Sequence, residues 1–429
     1  MPFPSQHAAA TNPVATGKKI IIVGAGIAGL SFALSLRKQW PNGPKPPSLS
    51  IYERETREAI LGREGYSLSI RGDALSGGIQ VLQRLDLLER MLPFSPSTLS
   101  SKSGSFNLWS TGWESLLKFP VASSDDAGNS PTGMRIARAV LRRIMMDAVC
   151  EAESGPDPIN WNKPCSKIET LPDGKVRVYL GDGTADDCDI LIVADGASSK
   201  IRAQIRPEDK LQFTGVVCIS GTSTFPDGQV PSPVDVDWGG VLGGGGTGLF
   251  VSPIDQNRAL WSVSFYNENP RESLRYPMSD DQVESTLQEA LERGQHFHQP
   301  FQTMVRSTDP STLMVFNAMD KQPFAHKDCP EFGYSPVIFI GDANHAVSPF
   351  AGNGANMALL DGWGLAEQLI KGETMATAIE RYDRESIPRS AATVKQSHWS
   401  ISMLHATGMK LFLYRLMLRV VGIYLRWRK

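Results

Sequence analysis

The residues of this chain that could do chemistry together begin at Gly24-Ala25-Gly26-Ile27-Ala28-Gly29, directly after the apolar run Ile20-Ile21-Ile22-Val23. Glycines at this spacing have separate tasks. Gly24 permits a tight turn, Gly26 lets a pyrophosphate approach the backbone, and Gly29 lets the following helix pack close to its strand. That helix start offers free N–H groups and a positive dipole end to an anion. Leu49 to Tyr52 reads as the next strand and ends in Glu53, the residue type that accepts hydrogen bonds from a ribose hydroxyl pair; Arg54 stands beside it. Glu53 lies 24 residues after Gly29, a little beyond the usual spacing of about 20. The Pro-rich stretch 41–47 accounts for the excess. The reading is a bound adenine dinucleotide, and the plainer alternative is small residues serving packing alone.

Two further turns follow buried-strand patterns. Asp189 to Ala194 runs into Asp195-Gly196, with Arg202 one short helix later. Pro336 to Ile340 runs into Gly341-Asp342, then His345, Pro349, Gly352, Gly354, Ala355 and Asn356, and a helical pattern carries on through Leu360, Leu365 and Leu369. These elements predict an α/β fold: a Rossmann-like dinucleotide domain that is discontinuous, closed by a strand and helix from the last third of the chain.

Between them the spacing predicts a strand through Tyr66, Leu68 and Ile70, a helix near 73–91, and irregular loops with short strands over 92–132. A second helix is expected over Met134–Ala152, with Arg138 near its start, and a hairpin around Pro172-Asp173-Gly174. Residues 211–330 change character. Alternating segments at 211–219, 247–251 and 259–265, separated by Gly and Pro clusters, read as antiparallel sheet, with a polar helix near 280–293. The expected organisation is a flexible leader 1–17, a dinucleotide domain of 18–205 plus 331–385, a substrate domain 206–330, and C-terminal helices 386–429.

Composition narrows the classes. At 429 residues the chain can build two or three cores. Its 41% hydrophobic content and net charge of −2 argue against a disordered chain and against a basic nucleic-acid binder. The five cysteines are widely spaced without C-x-x-C, so neither a zinc site nor a disulfide framework is expected, and a reducing, cytoplasmic location is the simpler reading. The leader lacks the basic and apolar regions of a secretory signal. The tail 396–429 is helical in pattern and basic. It is expected to pack on the protein's own body or on a second subunit (monomer or homodimer), with contact to a membrane surface as the less favoured reading.

Taken in order, the Gly24–Gly29 motif with Glu53, the Asp195-Gly196 turn, and Gly341-Asp342 leading through the spacing H-x-x-x-P-x-x-G-x-G-x-N-x-x-x-x-D from His345 to Asp361 resemble the single-component FAD-dependent aromatic-ring monooxygenases, the para-hydroxybenzoate hydroxylase-like group. The tetracycline-inactivating and natural-product flavin hydroxylases are similar. The resemblance covers roughly 18–385. It implies non-covalent FAD, NADPH or NADH as a transient co-substrate that docks without a Rossmann unit of its own, and O2. It also implies a C4a-hydroperoxyflavin that oxygenates an aromatic, phenolic or indolic small molecule.

Residue by residue, the resemblance gives Glu53 the adenosine ribose, Arg138 a contact to the cofactor, and Asp342 the ribityl chain. Asp195 and Gly196 serve FAD and are implicated in NADPH handling. Pro349 and the Gly352–Asn356 backbone lie by the isoalloxazine, where a helix start would stabilise negative charge on the reduced ring. Arg63 could reach a phosphate or the flavin edge, or stay solvated. His345 could touch the flavin region or be satisfied by backbone, and Asp361 is expected to fix helix packing. No metal and no side-chain base is assigned. The competing readings are an oxidase or reductase on the same fold and a non-catalytic flavin-fold binding protein. A halogenase fits poorly, because Trp109-Ser110-Thr111-Gly112-Trp113 does not match W-x-W-x-I-P.

Overall fold

The computed structural model describes residues 12–62, 66–73, 76–95, 104–121, 131–152, 157–226, 230–329 and 336–427. A five-stranded sheet is built from β1 (Lys19–Val23), β2 (Ser48–Tyr52), β3 (Ile159–Asn160), β4 (Ile190–Val193) and β5 (Val337–Phe339). The spatial order is β5-β4-β1-β2-β3, and every pairing is parallel. Both faces are covered, which is why β1 and β4 read as unbroken apolar runs. Ile20 and Ile22 pack under α1 (Ile27–Gln39), α2 (Arg138–Glu151) and α3 (Gly354–Lys371). Ile21, Val23, Leu191 and Val193 pack on the opposite side against Val176 and Val178 of a three-stranded antiparallel sheet. Two helices meet almost backbone to backbone: a Cβ on Gly362 of α3 would stand 2.4 Å from the Phe32 nitrogen of α1.

A second, eight-stranded sheet runs in the order 274–275, 314–320, 212–224, 258–266, 247–253, 238–242, 105–110, 115–120. Its pairings are antiparallel except 105–110 on 238–242, which is parallel. One face closes on the helices Asp280–Arg293 and Phe301–Arg306 around Trp261, Phe265, Phe297 and Phe301. The first of these helices starts with a Ser279–Gln282 capping box.

Several expectations change. Residues 105–120, placed inside the dinucleotide domain by their position in the chain, form an edge hairpin of the large sheet. The helix expected from Met134 begins only at Arg138, because Gly133–Ala137 pairs antiparallel with Ser67–Arg71. There Met134 and Ile136 join Ile70 in the core, so period-two burial overrides helical spacing. The 73–91 helix is two short ones, Gly78–Arg84 and Leu88–Met91, parted at Asp86 with φ +57°. Within the leader, residues 12–17 are packed: Ala15 is fully buried and the Val14 N–H donates to the Leu369 carbonyl at 3.1 Å. No break occurs at residue 386. The helix α4 (Met375–Leu404) passes through it with Pro388 inside, and α5 (Gly408–Trp427) follows.

Candidate active site

Every turn singled out in the sequence follows the carboxyl end of a parallel strand: Gly24 after β1, Glu53 after β2, Asp195 after β4, Gly341 after β5. In open α/β sheets this is the edge where ligands bind. Gly24 (φ +107°) cannot carry a side chain, since a Cβ would lie 2.4 Å from the Ala194 carbonyl. Gly29 is equally closed, 2.2 Å from the Gly24 carbonyl. Gly26 is different: the nearest atom to its Cβ position is 3.9 Å away, and no side chain caps α1. The first-turn N–H groups of α1 are therefore not taken up by a side-chain cap.

At one end of this edge Glu53 is only 5% exposed. Its carboxylate accepts the Ala25 N–H at 2.9 Å, the Glu55 N–H at 3.0 Å and the Arg142 guanidinium at 3.0 Å. Arg142, itself buried, also donates to the Ala25 carbonyl at 2.9 Å. Glycine loop, second strand and α2 are thus fastened by one ion pair. Arg142 is not among the expected site residues. The available signal was its spacing of four from Arg138, which puts both on one side of α2. Arg54 is exposed, 4.0 Å from Glu55. Arg63 lies outside the described residues.

The other end is less saturated. Asp195 accepts the Lys200 N–H at 3.1 Å through one oxygen, while Oδ1 is buried with no hydrogen-bond partner among the described residues, and burial raises its pKa against the opposing pull of Ser199 and nearby backbone N–H groups. Asp342 is open to solvent yet crowded by protein; no described residue hydrogen-bonds its carboxylate. Desolvation raises its pKa against the opposing pull of His345, Arg138 and Arg202. Arg138 is half-buried at the start of α2, donates its N–H to the Tyr66 carbonyl at 3.0 Å, and lies 5.8 Å from the Tyr66 ring centre. Arg202 ties the two turns together, donating to the Ala197 carbonyl at 2.5 Å and the Ala343 carbonyl at 2.9 Å. Gly196 (φ +87°) and Gly352 (φ +58°) each have nothing within 4 Å of a Cβ position, and Gly341 (φ +59°) abuts Ala28. Pro349 and Gly352 are exposed, Gly354 and Ala355 half-buried, and α3 starts with no side-chain cap.

Behind that loop one carboxylate is spent entirely on the protein. Asp361 is fully buried and accepts the Gly341 N–H at 2.8 Å, His345 Nε2 at 2.6 Å, Ser386 Oγ at 2.9 Å and Arg389 at 2.7 Å. Burial works to raise its pKa, but His345, Arg389 and the Gly341 N–H hold it well below the usual range. His345 Nε2 is accordingly held by a carboxylate rather than by backbone, while its Nδ1 is buried with no partner among the described residues. Asn356, assigned to the cofactor, uses its side chain elsewhere: Oδ1 accepts the Arg71 N–H and Nδ2 donates to the Ser69 carbonyl, both at 2.9 Å. Its backbone N–H, the group expected at the cofactor, stays at the helix start. Lys321, buried, bonds the Gln322 carbonyl at 2.7 Å and the Asn344 carbonyl, 3.2 Å from Asp209.

The family model described as "FAD binding domain" matches residues 174–397. The monooxygenase cfoF of Aspergillus candidus is 40% identical over 399 residues, 91% of this chain and 92% of that protein. The chain belongs to the FAD-binding monooxygenases. This monooxygenase is also 24% identical over 398 residues to the FAD-dependent urate hydroxylase of Klebsiella pneumoniae, covering 92% of each. Its fold matches the crystal structure of Klebsiella pneumoniae HpxO with FAD and uric acid at a TM-score of 0.73, with 21% identity over 94% of this chain and 92% of that one.

FAD is the cofactor of the monooxygenase, and the residues fit it. The uncapped start of α1 above an open Gly26, the unpartnered buried Asp195 oxygen, the accessible Asp342 and the vacant space beside Gly196 and Gly352 line one edge of the sheet. No helix is long and apolar enough to cross a membrane, and no group of three metal-ligating side chains occurs, both among the described residues. All five cysteines are free.

Proposed function

We propose that this monooxygenase uses NADPH or NADH and O2 to hydroxylate an aromatic, phenolic or indolic small molecule. The observation that carries the reading is the convergence of the Gly24, Glu53, Asp195 and Gly341 turns at the carboxyl edge of one parallel sheet. When bound, FAD would supply the two-electron redox chemistry that links a nicotinamide, O2 and the ring.

The chain's own residues bind and orient. The α1 start holds the pyrophosphate at Gly26. Glu53, preset by Ala25 and Arg142, accepts from the adenosine ribose. Arg138 and Asp342 hold the middle of the cofactor, and Asp195 with Gly196 serve the same edge and the approach of the nicotinamide. The uncapped N–H groups of Gly354, Ala355 and Asn356 stabilise negative charge near them through the α3 dipole. Pro349 shapes the backbone beside the reacting ring. The large sheet excludes water from that side, which suppresses loss of reducing equivalents as peroxide.

The test is oxidation of NADPH and NADH by FAD-loaded protein in air, with peroxide and product mass followed against a panel of phenols, indoles and polyketides. The reading requires compound-dependent oxidation, little peroxide and a product one oxygen heavier. Stoichiometric peroxide with an unoxygenated product would convert the assignment to an oxidase.

A further inference from the structure

The helix α5 presents apolar residues in two directions. A narrow stripe of Leu411, Tyr414, Leu418 and Leu425, at spacings of three, four and seven, packs on Leu116 and Leu117 of the edge strand Ser115–Pro120. Gly422 permits this approach, because a Cβ there would already stand 3.2 Å from the Leu116 carbonyl. The outward side is bare. Among the described residues 15 large hydrophobic side chains are exposed, and ten of them lie on this one helix. Leu413, Leu416, Val420 and Ile423 are each at least half exposed, Met409 is 72% exposed and Trp427 88%. A patch of this kind marks an interaction site.

Charge identifies the partner. From Ser386 to Lys429 the chain has eight Lys or Arg and no Asp or Glu, although the whole protein carries −2. Lys410 and Arg419 are exposed at the edge of the apolar face, and Arg419 pairs with Glu114 at 2.9 Å. A second copy of the chain is a poor occupant, since an isologous contact would set this all-basic helix against itself. Lipid with anionic headgroups matches both features. Among the described residues no helix is long and apolar enough to cross a membrane, so α5 would lie in the interface plane.

We propose that α5 docks this monooxygenase on an anionic membrane surface, with the Leu413, Leu416, Val420 and Trp427 side in the acyl boundary and the basic residues among the headgroups. The assay is flotation of full-length, FAD-loaded protein with phosphatidylcholine vesicles, with and without about 30% phosphatidylserine. The protein should float with the serine-containing vesicles, weakly with the neutral ones, and be released by about 0.5 M salt. The double variant Leu413→Glu, Val420→Glu should partition at least about tenfold less, with flavin content and NADPH oxidation unchanged. No flotation with either vesicle, or equal flotation of variant and wild type, overturns the proposal. Equal binding to both vesicle types removes the anionic requirement and overturns it in that form. A concentration-dependent dimer in light scattering, abolished by the same substitutions and without lipid binding, would assign the face to a second copy instead.

Discussion

The two ends of the candidate site are built differently. At the β2 end Glu53 enters the folded protein already bonded by Ala25, Glu55 and Arg142. At the β4–β5 end one Asp195 oxygen has no partner and Asp342 has no hydrogen bond to its carboxylate among the described residues. Saturated groups set geometry before a ligand arrives, whereas unsaturated buried ones cost free energy that a ligand can recover. A third carboxylate sharpens the contrast. Asp361 stands 19 residues after Asp342 and is completely saturated, so it fixes the backbone from which Asp342 projects.

Asp361→Asn tests the saturated extreme. It removes the carboxylate that buried His345 and half-buried Arg389 share and should cost about 4 kcal/mol of stability, read as a shift in the urea midpoint of the apoprotein. A change under about 1 kcal/mol would mean the network contributes no more than a surface pair. Arg142→Met should cost about 3 kcal/mol by stranding Glu53 in the interior, and FAD retention after desalting should fall with it. Full retention would show that Glu53 needs no preset geometry.

Lys321, under the open end, supplies a pH test. Burial pushes its pKa down to about 8, against the opposing pull of Asp209. Between that value and the unfolded value the denatured state binds the extra proton, so this group makes stability rise with pH from about 8 to 10.5. The gain should be roughly 2 to 3 kcal/mol and absent in Lys321→Met. Parallel stability–pH profiles for the two proteins would remove Lys321 from the account. Asp342→Ala is the smallest effect: FAD affinity should weaken about tenfold, near 1.4 kcal/mol, while the apoprotein keeps its stability. If affinity is unchanged and stability falls, Asp342 belongs with Asp361 as framework.

The sequence by itself determined the strand–turn–helix at Gly24–Gly29, the buried parallel strands and the order of the turns that place the chain among the FAD monooxygenases. These are short-range patterns: a continuous apolar run, glycines spaced for a tight turn and a close helix, a helix start without a capping side chain. Tertiary structure decided which polar groups stay available. Glu53 meets Arg142 across 89 residues, and Asn356 meets Arg71 across 285, so no local window could show that the first is preset or that the second gives its side chain to a strand. The same holds for residues 105–120, whose partner strand begins at Trp238, and for α5, where periodicity alone did not say which apolar side the body would leave uncovered. Pairing and burial are set by what else the chain brings to a place, and that is a property of the whole fold.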